Sequence, residues 1–120
     1  MFPGLRTTIC IKPVARDIHV SGAIEREGAW ERDTVNNVIS AMEAHPGAVF
    51  LDIGANIGMY TVVIAAMRRR VIAVDADPSN LAYIRQSLEI EKTTDYVEII
   101  YNSIRYKMII STPTLINDQD

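Results

Sequence analysis

The chain has a single cysteine, Cys10, so no internal disulfide can form, and neither it nor His19 or His45 falls in a cluster with metal-ligand spacing. A metal centre and a disulfide-stapled scaffold are therefore not expected, and a reducing compartment is compatible. An excess of basic charge is also missing: 12 Lys and Arg face 15 Asp and Glu, for a net charge of −3. That leaves no basic field to hold a phosphate backbone, so nucleic acid is not expected as a partner. Residues 1–17 lack an apolar core of signal-peptide length. The longest mostly apolar stretch, Val49 to Met67, is broken by Asp52, Asn56 and two glycines, and charge at the centre of a bilayer is costly. No membrane segment is expected, and the cytoplasm is the default compartment. No internal repeat or low-complexity tract divides the chain.

What is present suffices for one domain: 120 residues, 48% of them hydrophobic, a size at which roughly two thirds of the unfolded surface becomes buried. Between Asp33 and Glu43, residues Val35, Val38, Ile39 and Met42 recur at the spacing of one helix face, and Pro46-Gly47 stops it. Val49 to Ile53 reads as a buried strand. Gly58 to Met67 is apolar nearly all round, as in a helix covered on more than one side, and Arg68-Arg69-Arg70 closes it as a solvated cap. A second strand, Val71-Ile72-Ala73-Val74, ends in Asp75. Asp77 then serves as N-cap and Pro78 as first residue of another helix, with Leu81, Ile84 and Leu88 as its buried stripe. Tyr96 to Tyr101 is a third strand. Nearer the N-terminus, Thr7 to Lys12 predicts a short strand ended by Pro13, and Asp17 to Ser21 another.

Alternation of strands and helices predicts an α/β fold, an incomplete doubly wound, Rossmann-like parallel sheet with the first three core strands only. The first strand of such a sheet normally lies at its centre. With no fourth strand beside it, its far edge shows unpaired backbone groups and apolar side chains, and self-association through that edge is expected.

The most informative segment is Asp52-Ile53-Gly54-Ala55-Asn56-Ile57-Gly58, a glycine-bearing turn between strand and helix. Glycine lets a ligand approach the backbone and supplies torsions other residues adopt at a cost. Asp75 follows Gly54 by about 20 residues, the distance at which a carboxylate on the next strand meets a ribose diol. The dinucleotide fingerprint would need glycine at Gly54, Asn56 and Met59, and only the first matches. Asp52, just before the turn, disfavours a pyrophosphate there but suits the ammonium of S-adenosylmethionine. The charge pattern favours S-adenosylmethionine over NAD, with a nicotinamide-dependent oxidoreductase as the alternative. A third reading is a non-catalytic interaction protein that borrows the fold.

The segments VFLDIGANIGMYTVVIAA and VIAVDADPSNLAYIRQSL resemble the cofactor half of a class I methyltransferase. More narrowly, DIGANIG, GAWE at Gly28 to Glu31, and Asn102-Ser103 after a strand resemble the FkbM-like methyltransferase family. The resemblance implies Asp52, Gly54, Ala55, Asn56 and Gly58 around the methionine moiety, Asp75 on the ribose, and Ala76 with Asn102 or Ser103 near the adenine. It also implies O-methyl transfer to a small-molecule or glycan-like hydroxyl, and has Trp30 and Glu31 closing over the cofactor. The Lys-Ile-Asp-x-Glu-Gly pattern of that family has no match after Asn102, so the chain is expected to be a truncated domain: an N-terminal extension to residue 30, a cofactor-binding half over 31–104 and a tail over 105–120. Such a piece should bind cofactor weakly and not turn over alone.

The plainer readings stand beside these. Asn56 suits a left-handed turn torsion with or without a ligand, Asp77 is a helix cap, and His45 lies at the wrong end of the first strand for catalysis. No residue is singled out as the catalytic base.

Overall fold

The computed structural model describes residues 5–13, 15–17, 19–28 and 31–102. Two helices, α1 (Val20–Glu27) and α2 (Arg32–Ala44), precede β1 (Phe50–Ile53), α3 (Met59–Ala66), β2 (Val71–Asp75), α4 (Pro78–Glu91), a 3₁₀ turn at Thr94–Tyr96 and β3 (Val97–Tyr101). The strands form one parallel sheet in the order β1-β2-β3. This is the partial Rossmann-like α/β fold expected from the alternation of elements.

Both crossovers step in the same direction across the sheet. Because such connections are right-handed almost without exception, α3 and α4 fall on the same face. Register places Phe50 and Asp52 of β1 beside Val71 and Ala73 of β2, and side-chain alternation puts these residues and Asp75 on that face. Val71 and Ala73 join Met42, Val62, Ile64, Ala65, Leu81, Ile84 and Leu88 in one buried cluster. The other side of α3 packs differently: Ile57, Met59 and Val63 meet Val20, Ile24 and Val35 of α1 and α2. That second layer explains why α3 is apolar all round. On the opposite face of the sheet Val49, Leu51 and Ile53 remain 50%, 55% and 54% exposed.

Two N-terminal expectations are corrected. Thr7 to Lys12 joins no sheet; it is strapped across the helices, with Cys10 N–H donating to Ser87 Oγ at 2.7 Å and Lys12 N–H to Ser21 Oγ at 3.0 Å. Side-chain acceptors thus satisfy a backbone whose β-branched composition suggested a ladder. Within Asp17 to Ser21, where a strand was expected, Val20 and Ser21 are instead the first residues of α1, and residue 18 lies outside the described residues. The Asp17 carboxylate accepts from Val20 N–H, Ser21 N–H and Ser21 Oγ–H, which meets the unpaired donors of the helix's first turn. Burial opposes ionisation of Asp17, but the Ser21 and Val20 hydrogen bonds, aided by Lys12, outweigh it and hold the carboxyl below its usual range.

The arginine run is likewise more than a solvated cap. Arg69 donates to the carbonyls of Met42, His45 and Ala48, tying the end of α2 to the turn after α3. It answers the need of a helix C-terminus for partners to its last carbonyls. Arg68 lies 5.8 Å from the centre of the Tyr96 ring. No helix among the described residues is long and apolar enough to cross a membrane, and none of their His, Cys, Asp and Glu side chains cluster as a metal site.

Candidate functional site

Where β1 ends, residues 54–58 turn the chain into α3 through three left-handed residues, Gly54 (φ 73°), Asn56 (φ 56°) and Gly58 (φ 94°). Gly54 and Ala55 N–H both donate to the Val74 carbonyl, at 2.8 and 3.0 Å, so the loop is stitched to the end of β2. The two glycines answer different needs. A Cβ on Gly54 would meet nothing within 4 Å, so its requirement is torsional and its surface open. A Cβ on Gly58 would lie 2.7 Å from Ile84 Cγ1, so this glycine lets α3 pack against α4. Ala55 is buried in the core.

Asp75 turns toward the loop. Its Oδ2 accepts from Asn56 N–H at 2.7 Å, and its Oδ1 from Asp77 N–H at 2.9 Å and Asn80 Nδ2 at 3.2 Å. Acid and glycine turn, adjacent only in the parallel register of β1 and β2, are thus in direct contact. Asp52 lies deeper on the same face, with Oδ2 accepting from Thr61 Oγ1–H at 2.6 Å. Burial pushes the Asp52 carboxyl above the ordinary carboxylate range; hydrogen bonding from Thr61 offsets part of this, and the nearby Asp75 adds to it.

Of the other expected site residues, Ala76 and Asn102 are exposed at the carboxyl edge of the sheet, and Asn102 N–H donates to the Asp75 carbonyl at 3.1 Å. Ser103 and Trp30 lie outside the described residues. Asp77 caps α4, accepting from Ser79 N–H at 2.8 Å. Gly28 ends α1 in a left-handed conformation, with its N–H on the Ile24 carbonyl. Glu31, also left-handed at φ 52°, accepts from Tyr60 Oη–H at 2.9 Å across the first turn of α3. Burial and the Glu31 carboxylate push the Tyr60 hydroxyl up to about 12. His45 is exposed and places Nδ1 2.9 Å from the Ala41 carbonyl at the end of α2, opposite the loop.

Residues 25–111, and with them the whole strand-loop-helix unit, match the model of the TRM5/TYW2 methyltransferase domain. The chain belongs to this family. It is accordingly an S-adenosylmethionine-dependent methyltransferase of class I. The family supports the class expected from DIGANIG but is not the FkbM-like group itself. No curated protein matches the chain.

Three residues at this edge escaped the sequence reading: Thr61, Tyr60 and Asn80. Thr61 had a signal, being a hydroxyl inside the otherwise apolar run from Met59 to Ala66 whose buried O–H requires a partner. Tyr60 and Asn80 had none, because their partners Glu31 and Asp75 come from other elements.

Proposed function

We propose that residues 54–58 and Asp75 hold the adenosine of S-adenosylmethionine, with Asp52 toward the methionine ammonium and Ala76 and Asn102 beside the adenine. The observation that carries this reading is the 2.7 Å hydrogen bond from Asn56 N–H to Asp75, which brings open backbone and an acceptor for ribose into one place. A carboxylate has about four acceptor positions. Three are taken by Asn56, Asp77 and Asn80, which fixes the rotamer and leaves Oδ2 with capacity for a ribose hydroxyl. Gly58, the N-cap of α3, offers no side-chain acceptor, and with Thr61 N–H held by Asp52 the N–H groups ahead of it suit the methionine carboxylate.

S-adenosylmethionine supplies a methyl group already activated on sulfur. The work left to the chain is positioning, which in favourable cases reaches about 7 to 11 kcal/mol. Because TRM5-type domains typically methylate a nitrogen of tRNA, we take such a nitrogen as the acceptor. The second reading, O-methyl transfer to a small-molecule or glycan-like hydroxyl as in the FkbM-like group, is favoured by the net charge of −3, which gives RNA no electrostatic grip.

Calorimetric titration of the chain with S-adenosylhomocysteine, against NAD, tests the cofactor site; equal binding of NAD or no binding of S-adenosylhomocysteine overturns it. Transfer of labelled methyl to tRNA, compared with hydroxyl acceptors, separates the two acceptors.

A further inference from the structure

Asp52 and Thr61 form a buried pair: Asp52 is 6% and Thr61 0% exposed, and 2.6 Å separates their oxygens. A buried helical threonine commonly returns its proton to the carbonyl one turn back. Thr61 has one hydroxyl proton and gives it to Asp52 instead. The groups acting on Asp52 are thus Thr61, through both its hydroxyl and its backbone N–H, and a second carboxylate, Asp75. A buried anion among such neighbours is unfavourable to the fold, and its electrostatic complement is a cation.

Resting on the cofactor reading above, we propose that Thr61 is a positioning residue, which fixes one oxygen of Asp52 so that the carboxylate faces the amino-acid end of the cofactor and not its nucleoside. The hydroxyl acts only through Asp52. Loss of it should therefore be felt by ligands that carry the ammonium group and ignored by those that do not.

The test compares two probes on the full chain: S-adenosylhomocysteine, which keeps the amino acid, and 5′-methylthioadenosine, which lacks it. Thr61→Val should weaken S-adenosylhomocysteine about tenfold, as for one charge-assisted hydrogen bond, and leave 5′-methylthioadenosine within about twofold. Thr61→Ser should restore the first ligand. In an Asp52→Asn background, Thr61→Val should cost little more, because the two act as a unit. Equal weakening of both ligands, no weakening of either, or additive effects of the two substitutions overturns the proposal while leaving the cofactor reading intact. A native chain that binds neither probe overturns the cofactor reading, and this proposal with it.

Discussion

On the face of the sheet that carries Asp52, Val71, Ala73 and Asp75, helices α2, α3 and α4 exclude water almost completely, whereas on the other face Val49, Leu51 and Ile53 stay about half exposed. The strands themselves do not explain the contrast, since β1 turns apolar Leu51 and Ile53 to the exposed side and carries Asp52 on the covered one. Connection geometry explains it: two right-handed crossovers running the same way cover the same face twice. The covered face is also where the carboxylates lie. Asp52 is pushed above the ordinary carboxylate range mainly because the helices above it remove water, and the same group on the exposed side would be solvated.

The sharpest way to break the covered face is Gly58→Ala. With a Cβ 2.7 Å from Ile84 Cγ1 and a backbone at φ 94°, this substitution should lower stability by about 3 kcal/mol in urea denaturation. Gly54→Ala, strained at φ 73° but free of contacts, should lose only about 1 kcal/mol. Equal losses would show that torsion alone sets both positions.

Asp75→Ala should weaken S-adenosylhomocysteine by about thirtyfold in calorimetry, while Asp95→Ala, exposed before β3, changes it by less than about twofold. Comparable effects would remove Asp75 from the ribose.

Asp52→Asn should weaken the same ligand by about tenfold yet stabilise the fold at neutral pH by about 1 kcal/mol. The sign follows from a folded-state pKa raised above the ordinary 3.8. Below 3.8 the native carboxyl is protonated in both states and the substitution gains nothing. As pH rises through the folded value, the anion becomes a burden and the advantage of the uncharged amide opens. Among the described residues, the charged and titratable groups facing this carboxyl are Asp75 on β2 and Tyr60 on α3. Denaturation curves across that range would show the opposite slope if Asp52 were a stabilising ion pair.

The smallest effect on stability belongs to the bare face. Leu51→Lys should change it by less than about 0.5 kcal/mol, while reducing any concentration-dependent association seen by sedimentation, because it places a charge beside an open strand edge.

Much of the fold was legible. Periodicity marked α2, α3 and α4, and the pairing of strand and helix marked the sheet, because these signals are local and repeat along the chain. The N-terminal region misled: β-branched residues at Thr7 to Lys12 suggested a ladder, but their backbone bonds go to Ser87 and Ser21, and Asp17 opens a helix that contains Gly22. At the site, Asp52, Gly54 and Asp75 could be singled out from spacing and charge. Asn80 could not, because its partner Asp75 lies on another element, and the close approach of Gly58 to Ile84 on α4 likewise left no local mark.

Sequence alone determined that a glycine-bearing turn follows an apolar strand and that an acid ends the next one, since torsional preference and alternation are properties of neighbours. Only the tertiary structure decided that the acid bonds the turn, that the two glycines differ in their needs, and that β1 is covered on one face while Leu51 and Ile53 on the other stay half exposed. Each depends on register and crossover handedness, which bring together residues that lie many positions apart and leave no mark in the local pattern.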